Sequence, residues 1–265
     1  MDNYKIGFIG MGNMAQAILF GMLDKKIICE KNIYAHDVLA STLDKVVDKT
    51  SINPLASNRE VVKVCDMIFL AVKPNYCKDV LIEVGGDLAD KALLSFVSGW
   101  SFEDISEFTA ESMRLLVVQP NTPFMVGAGM TNFAKTTSFT EEELETAKRI
   151  FGTQGLVEIV PDELLMFCGT SSAAVPAFAY TFIEALADAS VEDGIPRDLA
   201  YKLCAAAVMG AGKMVLESGL HPGILKDQVT SPGGSTIRGI HALEKGGFRG
   251  TAMDAVKAAN DRWRK

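Results

Sequence analysis

Two glycines and an alanine near the start of the sequence have the spacing of a phosphate-binding turn. Gly10, Gly12 and Ala15 lie in the stretch KIGFIGMGNMAQAI, after a short apolar run and at the opening of a helix-like segment. In the G-x-G-x-x-G/A pattern the first glycine permits a tight turn. The second lets the backbone approach a pyrophosphate, and the third position keeps the helix close to the strand. Because free N–H groups at the start of the helix would face the phosphates, the stretch predicts dinucleotide binding.

An acidic residue after the second predicted strand bears on which dinucleotide is bound. Asp37 follows Tyr34-Ala35-His36, a little more than twenty residues past the glycines. At this place a carboxylate can bind a ribose 2′-hydroxyl and would repel a 2′-phosphate, and no arginine follows closely. The position therefore favours NAD over NADP.

The ends of two further strands add candidate cofactor contacts. Ala71-Val72-Lys73-Pro74 ends the third predicted strand, at the carboxyl edge where open parallel sheets bind ligands. Lys73 is equally compatible with an ordinary surface lysine. Ser95, Ser98 and Gly99 end the next strand, and their small size leaves room for a flat nicotinamide ring.

A loop of small residues, Thr230-Ser231-Pro232-Gly233-Gly234-Ser235-Thr236, lies between two helix-like regions. Proline followed by glycines gives a turn without side chains in the way. Successive backbone N–H groups at the start of a helix hold an anion such as a carboxylate, and Thr236 adds a hydroxyl donor. The same residues are compatible with a turn that only caps the next helix.

Familiar acid–base and metal-binding motifs are missing from the sequence. The three histidines belong to no Ser/His/Asp or His/Cys arrangement, and there is no H-E-x-x-H motif. The five cysteines are scattered, so neither a disulfide framework nor a zinc site is expected. A reaction carried by a cofactor requires the protein mainly to orient the substrate and supply electrostatics, which agrees with this composition.

The first part of the chain has the pattern of a doubly wound α/β domain. Short, nearly unbroken apolar runs suit strands that are buried on both faces of a parallel sheet, and helical stretches such as Ala15–Leu23 and Asn58–Val64 separate them. The predicted strands are Lys5–Ile9, Asn32–Ala35, Met67–Val72, Leu93–Val97 and Leu115–Val118.

The second part is predicted to be entirely helical, with the boundary between residues 1–160 and 161–265. Gly219 and Gly246-Gly247 mark helix ends, and Thr251 with Asp254 suggests a cap for the last helix. Apolar residues cover more than one face of these helices, which favours a homo-oligomer over a monomer core. The predicted helices are Pro176–Val191, Asp198–Ser218, Ile237–Lys245 and Thr251–Arg264.

Composition excludes several classes of partner. The 265 residues carry a formal net charge of -7, which gives no attraction to nucleic acid or to anionic membranes. No uninterrupted run of about 20 apolar residues and no secretory signal is recognisable, so a soluble, cytoplasmic protein without a membrane span is expected.

Three stretches resemble the Δ1-pyrroline-5-carboxylate reductase family. They are VQPNTPFMVGAGMT at Val118–Thr131, EALADASVEDGIPRDLA at Glu184–Ala200, and LKDQVTSPGGSTIRGIHALEKGGFRG at Leu225–Gly250. The resemblance also covers the glycine turn, Asn58 and Ala71–Pro74, and therefore nearly the whole chain. The D-x-V-T-S-P-G-G-[ST]-T block is its most specific part.

The resemblance implies an N-terminal Rossmann domain, a helical C-terminal dimerisation domain, and a homodimer or larger ring. It implies reduction of pyrroline-5-carboxylate to L-proline by NADP(H) or NAD(H), with no metal. Thr236 would be the catalytic residue, and the substrate would bind Ser231, Gly233, Gly234, Ser235 and Thr236. The cofactor would contact Ile9, Gly10, Met11, Gly12, Asn13, Met14, Asp37, Asn58, Ala71, Val72, Lys73, Pro74, Phe96, Val97, Ser98 and Gln228.

One departure from the family pattern leaves alternatives open. The family usually has Ser-Gly-Ser-Gly-Pro-Ala before the central helix, whereas this chain has Ser172-Ala173-Ala174-Val175-Pro176-Ala177. The added bulk and restricted backbone would reshape a substrate pocket there. A β-hydroxyacid dehydrogenase-type enzyme with Lys213 as acid/base, and a dinucleotide-binding sensor without catalysis, are the alternative functions. The choice between NADPH and NADH also stays open.

Overall fold

The computed structural model describes residues 4–264 and separates into two compact units. We call Met1–Ala173 the sheet unit and Ala174–Lys265 the helical unit. The predicted division at 160/161 coincides with the end of the last strand at Val160. It stays a prediction, because the contacts divide the chain one helix later.

An eight-stranded sheet, with strand order β3-β2-β1-β4-β5-β6-β7-β8, forms the centre of the sheet unit. Strands β1 to β6 run parallel, and the strand order reverses beside β1, where β2 lies on one side and β4 on the other. The doubly wound prediction is confirmed for this part. The strands are β1 Ile6–Ile9, β2 Ile33–His36, β3 Asn53–Pro54, β4 Met67–Leu70, β5 Ala92–Ser95, β6 Arg114–Pro120, β7 Gly129–Thr137 and β8 Gly155–Val160.

The last two strands depart from the predicted all-parallel sheet. Strand β7 pairs antiparallel with β6, and β8 pairs parallel with β7. Only residues 121–128 separate β6 from β7, and they contain the short 3₁₀ turn Thr122–Val126 and Gly127, with φ of 72°. A connection this short can only join antiparallel neighbours, because a parallel pair needs a crossover of a dozen or more residues.

Within the part of the chain that the structure describes, seven α-helices accompany the sheet. Local signals explain several starts: Ser57 Oγ accepts from Glu60 N at the start of α3, and Thr140 with Glu143 forms a capping box on α6. The helices are α1 Asn13–Asp24, α2 Ala40–Thr50, α3 Asn58–Val64, α4 Pro74–Val84, α5 Phe102–Ser106, α6 Glu141–Gly152 and α7 Leu165–Ala173.

The core of the sheet unit lies on both faces of the sheet. Alternate strand residues enter opposite clusters: Phe8 and Phe69 belong to one cluster, and Ile9 and Leu70 to the other. Phe151 of α6 is fully buried, and its ring centre lies 5.6 Å from the ring centres of Phe124 and Phe133. This aromatic cluster joins α6 to the antiparallel end of the sheet.

A long-range contact fixes α1 against the far end of the sheet unit. Gln154 Nε2 donates to the carbonyl oxygen of Gly21 at 3.0 Å, and the two residues are 133 positions apart in the sequence. A Cβ at Gly21 would lie 2.7 Å from Gln154 Cγ. A residue without a side chain at position 21 therefore lets Gln154 approach the backbone of α1.

The described residues of the helical unit form five α-helices, which confirms the prediction that this part is helical. Gly219 ends α9 in the left-handed conformation, with φ of 64°, which confirms the predicted stop. The capping role of Thr251 is wrong: α12 begins at Phe248 after Gly247, and Thr251 N donates to Gly247 O inside the helix. The helices are α8 Val175–Glu192, α9 Arg197–Ser218, α10 Pro222–Gln228, α11 Ser235–Lys245 and α12 Phe248–Asn260.

Very little of the helical unit is buried. Among its described residues only Ala187 and Ala200 are buried apolar side chains, while large apolar side chains such as Met209 and Leu216 are exposed. By length and composition alone, the stretches Asp162–Glu192 and Arg197–Ser218 are apolar enough to cross a membrane. The same surface is what a helical subunit interface would present.

Candidate dinucleotide and substrate sites

The glycine turn is built as its spacing predicts. Gly10 has φ of +90°, and a Cβ there would lie 2.7 Å from the carbonyl oxygen of Ala71, so only glycine fits between β1 and the end of β4. Gly12 is the N-cap of α1, and no side chain of the described residues caps this helix. A Cβ at Gly12 would meet nothing within 4 Å. The helix N-terminus therefore faces open space, which fits the phosphates of a dinucleotide.

Asp37 joins the end of β2 to the glycine turn. Its Oδ2 accepts a hydrogen bond from Met11 N at 2.6 Å, and its Oδ1 accepts from Leu39 N at 2.8 Å. Met11 itself is buried, so it contributes its backbone and not its side chain to the surface of the site. The carboxylate is thus held in one place beside the turn.

A cavity of about 680 Å³ opens beside these residues, at the carboxyl ends of β1, β2 and β4. This volume lies in the range of small-molecule and cofactor sites. Sequence reasoning missed several of its lining residues, among them Leu39, Tyr76 and Glu83. The predicted cofactor residues that line it are Gly10, Gly12, Asp37, Asn58, Ala71, Val72 and Lys73.

The other predicted cofactor residues lie outside this lining. Ile9 is in the core, Asn13 and Met14 form the first turn of α1, and Pro74 is the first residue of α4. Phe96–Ser98 follows β5, with Val97 buried. Gln228 is the last residue of α10, in the helical unit.

A carboxylate on α4 holds Asn58. Glu83 Oε2 accepts from Asn58 Nδ2 at 2.8 Å, and both residues line the cavity. Asn58 is also the first residue of α3, where the Ser57 cap fixes the backbone. No sequence pattern could have found Glu83, because the two residues are 25 positions apart on different helices.

The loop in the helical unit forms a turn at the start of α11. Gly234 N donates to Ser231 O at 3.0 Å, and Gly233 has φ of +72°. Proline at the second position and glycine with positive φ at the third are typical of a type II turn. Gly234 is the N-cap of α11, and no side chain of the described residues caps the N–H groups of its first turn; Thr236 in this turn is exposed. The structure brings all five predicted substrate residues together in this turn.

The segment that departs from the family pattern is unstrained. Helix α7 ends at Ala173, Ala174 has φ of -86° and ψ of -34°, and α8 follows. None of residues 173–175 has positive φ, so alanine and valine adopt this backbone freely. Ser172 is held by two amides: Asn132 Nδ2 donates to its Oγ and Asn121 Nδ2 donates to its carbonyl oxygen, each at 2.9 Å.

A second cavity, of about 460 Å³, lies at the opposite, amino edge of the sheet and is lined by charged residues. Arg114 and Glu143 form a bidentate ion pair there, with the closest atoms 2.8 Å apart. Burial raises the pKa of Tyr4 to about 12. For Glu143, burial acts to raise the pKa, but the hydrogen bonds from Arg114 and Thr140 outweigh it and leave the pKa lowered. This ion pair joins the start of β6 to α6, at the edge of the sheet opposite to the glycine turn.

The sheet topology and the glycine turn define a dinucleotide-binding protein of the Rossmann class. Residues 5–99 match the family model described as NADP oxidoreductase coenzyme F420-dependent, and residues 162–265 match the model for pyrroline-5-carboxylate reductase dimerisation.

Relatives extend this similarity over the whole chain. The chain is 38% identical to pyrroline-5-carboxylate reductase of Escherichia coli, over 95% of this chain and 94% of that protein. It is 40% identical to the enzyme of the same name from Pisum sativum, over 99% and 96%. The crystal structure of Plasmodium falciparum pyrroline carboxylate reductase with NADP bound is similar with a TM-score of 0.89 and 31% identity, covering 99% and 97%. The chain belongs to the pyrroline-5-carboxylate reductase family.

Proposed function

We propose that this protein reduces Δ1-pyrroline-5-carboxylate to L-proline with NAD(P)H, the last step of proline biosynthesis. The observation that carries the proposal is identity of 38–40% to enzymes of that name over almost the full length of both chains. The glycine turn and the type II turn before α11 supply a cofactor site and a candidate anion site to go with it.

In the proposed cofactor site the backbone does most of the binding. The uncapped N-terminus of α1 would hold the pyrophosphate, and Asp37 and Asn58 would face the adenosine ribose. Ala71–Pro74 and Phe96–Ser98 follow neighbouring parallel strands and would lie along the rest of the dinucleotide. Gln228 is proposed to reach the nicotinamide side. The nicotinamide supplies the hydride when it is bound.

In the proposed substrate site the turn before α11 holds the carboxylate. The uncapped N–H groups in the first turn of α11 and the Thr236 hydroxyl would be the donors, and an anion at a helix N-terminus is favoured by the helix dipole. Thr236 is the residue that we assign to substrate contact. If the imine nitrogen binds already protonated, the chain needs no general acid, which agrees with its lack of a suitable histidine.

We further propose a soluble, cytoplasmic homodimer or larger homo-oligomer. The match of residues 162–265 to a dimerisation family and the exposed apolar side chains of α9 support this. On this view the two long apolar helical stretches pack in a subunit interface and not in a bilayer.

The alternative with Lys213 as acid/base has no support from its surroundings. Lys213 is highly exposed on α9 and forms a surface ion pair with Glu217, one helical turn away. A catalytic lysine is instead typically desolvated or placed beside its reacting partner.

Turnover tests the proposal directly. Addition of pyrroline-5-carboxylate should cause rapid oxidation of NADH or NADPH, with proline as product. The loss of the reduced-nicotinamide absorbance measures this oxidation. No turnover with either cofactor would contradict the proposed function.

A single substitution tests the role of the turn. Thr236→Ala removes one hydroxyl donor and should raise the KM for pyrroline-5-carboxylate about tenfold, a loss of about 1.4 kcal/mol, with the Kd for cofactor unchanged. Thr251→Ala, an exposed threonine on α12, is the matched control. A fall in cofactor affinity would mean that the turn binds the other ligand.

A further inference from the structure

The edge of the cofactor cavity that would receive the adenosine ribose is rich in fixed acceptors. Asp37 cannot turn away from it, because both of its carboxylate oxygens are engaged by the backbone N–H groups of Met11 and Leu39. A carboxylate is acceptor-only, so its remaining lone pairs can receive a hydroxyl but repel a phosphate.

Asn58 extends this acceptor surface. Since the carboxylate of Glu83 can only accept, the side-chain nitrogen of Asn58 must face it, and the amide oxygen lies on the other side. Asn58 therefore donates one of its two side-chain hydrogens to Glu83. After Asp37, Glu83 is the second carboxylate at this edge of the cavity.

The charged side chains that line the cavity also make it unfavourable for a phosphate, because they are mostly negative. Three carboxylates, Asp37, Asp79 and Glu83, line the cavity, against one lysine, Lys73, and no arginine of the described residues. Val38 and Leu39, which follow Asp37, are apolar and exposed, so neither offers a cation to a phosphate.

The remaining polar side chains of the lining are one histidine, bonded to a backbone carbonyl, and several hydroxyls. His36 Nδ1 lies 3.0 Å from the carbonyl oxygen of Leu55, which can only accept, so Nδ1 carries hydrogen and donates to Leu55. The hydroxyls of Thr42, Ser57 and Tyr76 are uncharged donors in the lining.

We propose that this protein uses NADH in preference to NADPH, and that Asp37 sets the preference. The 2′-hydroxyl of NADH can donate to the Asp37 carboxylate, whereas the 2′-phosphate of NADPH adds negative charge beside it and meets no guanidinium. The inference rests on the proposed function in taking NAD(P)H as the ligand. It sets this chain apart from the Plasmodium relative, whose structure has NADP bound.

Equilibrium binding without substrate tests the proposal. Dissociation constants for NADH and NADPH, measured by fluorescence titration at one ionic strength, should differ at least about tenfold in favour of NADH. Asp37→Ser should lower this preference at least about tenfold. The double variant Asp37→Ser, Val38→Arg should bind NADPH more tightly than NADH. Asp48→Asn, which removes an exposed carboxylate of α2 outside the cavity lining, should keep the wild-type ratio.

The ratio of the two constants is the readout, because losing the bonds to Met11 and Leu39 weakens both cofactors alike. Equal or tighter binding of NADPH by the wild type, or an unchanged ratio in Asp37→Ser, would overturn the proposal. A preference for NADH without turnover of pyrroline-5-carboxylate would support it and contradict the proposed function. Turnover of pyrroline-5-carboxylate with a preference for NADPH would support the proposed function and overturn the NADH preference. Failure to bind either dinucleotide would contradict both proposals.

Discussion

The two units of this chain solve the problem of apolar surface in opposite ways. In the sheet unit, helices cover both faces of the sheet, and rings such as Phe8, Phe69 and Phe151 are fully buried. In the helical unit, only Ala187 and Ala200 are buried apolar residues of those described. The sheet unit has a core of its own, whereas the helical unit carries apolar surface that another surface must cover. The difference predicts that the stability of the sheet unit depends on its own core packing. The helical unit is predicted to depend on association with another subunit.

The largest expected effect is the loss of the aromatic core of the sheet unit. Phe151→Ala should lower the free energy of unfolding by about 3–5 kcal/mol, because the buried ring leaves a cavity among Phe69, Phe124 and Phe133. Denaturant unfolding in a Trp263→Phe background would report it, since Trp100 is then the single tryptophan.

An exposed apolar residue of the same unit is the control for this experiment. Ile82→Ala on α4 should change stability by less than about 0.5 kcal/mol, since its side chain is largely exposed. A mild effect of Phe151→Ala would mean that the core of the sheet unit does not hold it together.

Charging the surface of α9 should have the next largest effect. Met209 and Leu216 are 71% and 68% exposed and lie seven residues apart, on one face of the helix. Met209→Glu with Leu216→Glu should weaken self-association at least about 100-fold, or about 2.7 kcal/mol, because carboxylates would be buried unpaired. Sedimentation at several concentrations would measure it.

The matched variant for α9 lies in the sheet unit. Ile82→Glu places one glutamate on an exposed apolar position of that unit and should leave the oligomeric state unchanged. An unchanged oligomer in the α9 variant would show that this face is not the subunit interface.

The smallest effect concerns the ion pair at the amino edge of the sheet. The lowered pKa of Glu143 means that its stabilisation is present above the ordinary carboxyl pKa and is lost as the pH falls through the folded-state value. Glu143→Gln should cost about 1–2 kcal/mol at neutral pH and flatten the acid limb of the stability curve.

Stability measured between neutral and acid pH separates this pair from a surface pair. Glu145, which pairs with Lys148 on the exposed side of α6, gives the control Glu145→Gln, with an effect below about 0.5 kcal/mol. Equal pH curves for the two variants would contradict the role given to Glu143.

Local patterns predicted the part of the fold in which neighbours in sequence are neighbours in space. The glycine turn, the five core strands and the stop at Gly219 were all visible as short signals. Strands β7 and β8 were missed because polar residues such as Asn132 and Glu158 interrupt their apolar runs. The cap at Thr251 was wrong because Gly247 turns the chain earlier than the cap motif indicates.

The candidate site was predictable to the same extent. The turn before α11 and the position of Asp37 follow from residue types. The bond between Asp37 and Met11, and that between Glu83 and Asn58, join segments that only the folded sheet brings together. Periodicity and spacing carry no information about such pairs, and they are the contacts on which the cofactor inference depends.

The hydrogen bond from Gln154 to Gly21 has a consequence for synthesis on the ribosome. Helix α1, which follows the glycine turn, acquires this hydrogen-bond partner only 133 residues after Gly21 has been made. At about 5–20 residues per second, the nascent helix waits on the order of ten seconds with that side uncovered. During this interval the side of α1 that Gln154 covers is exposed, and the helical unit has not yet been translated.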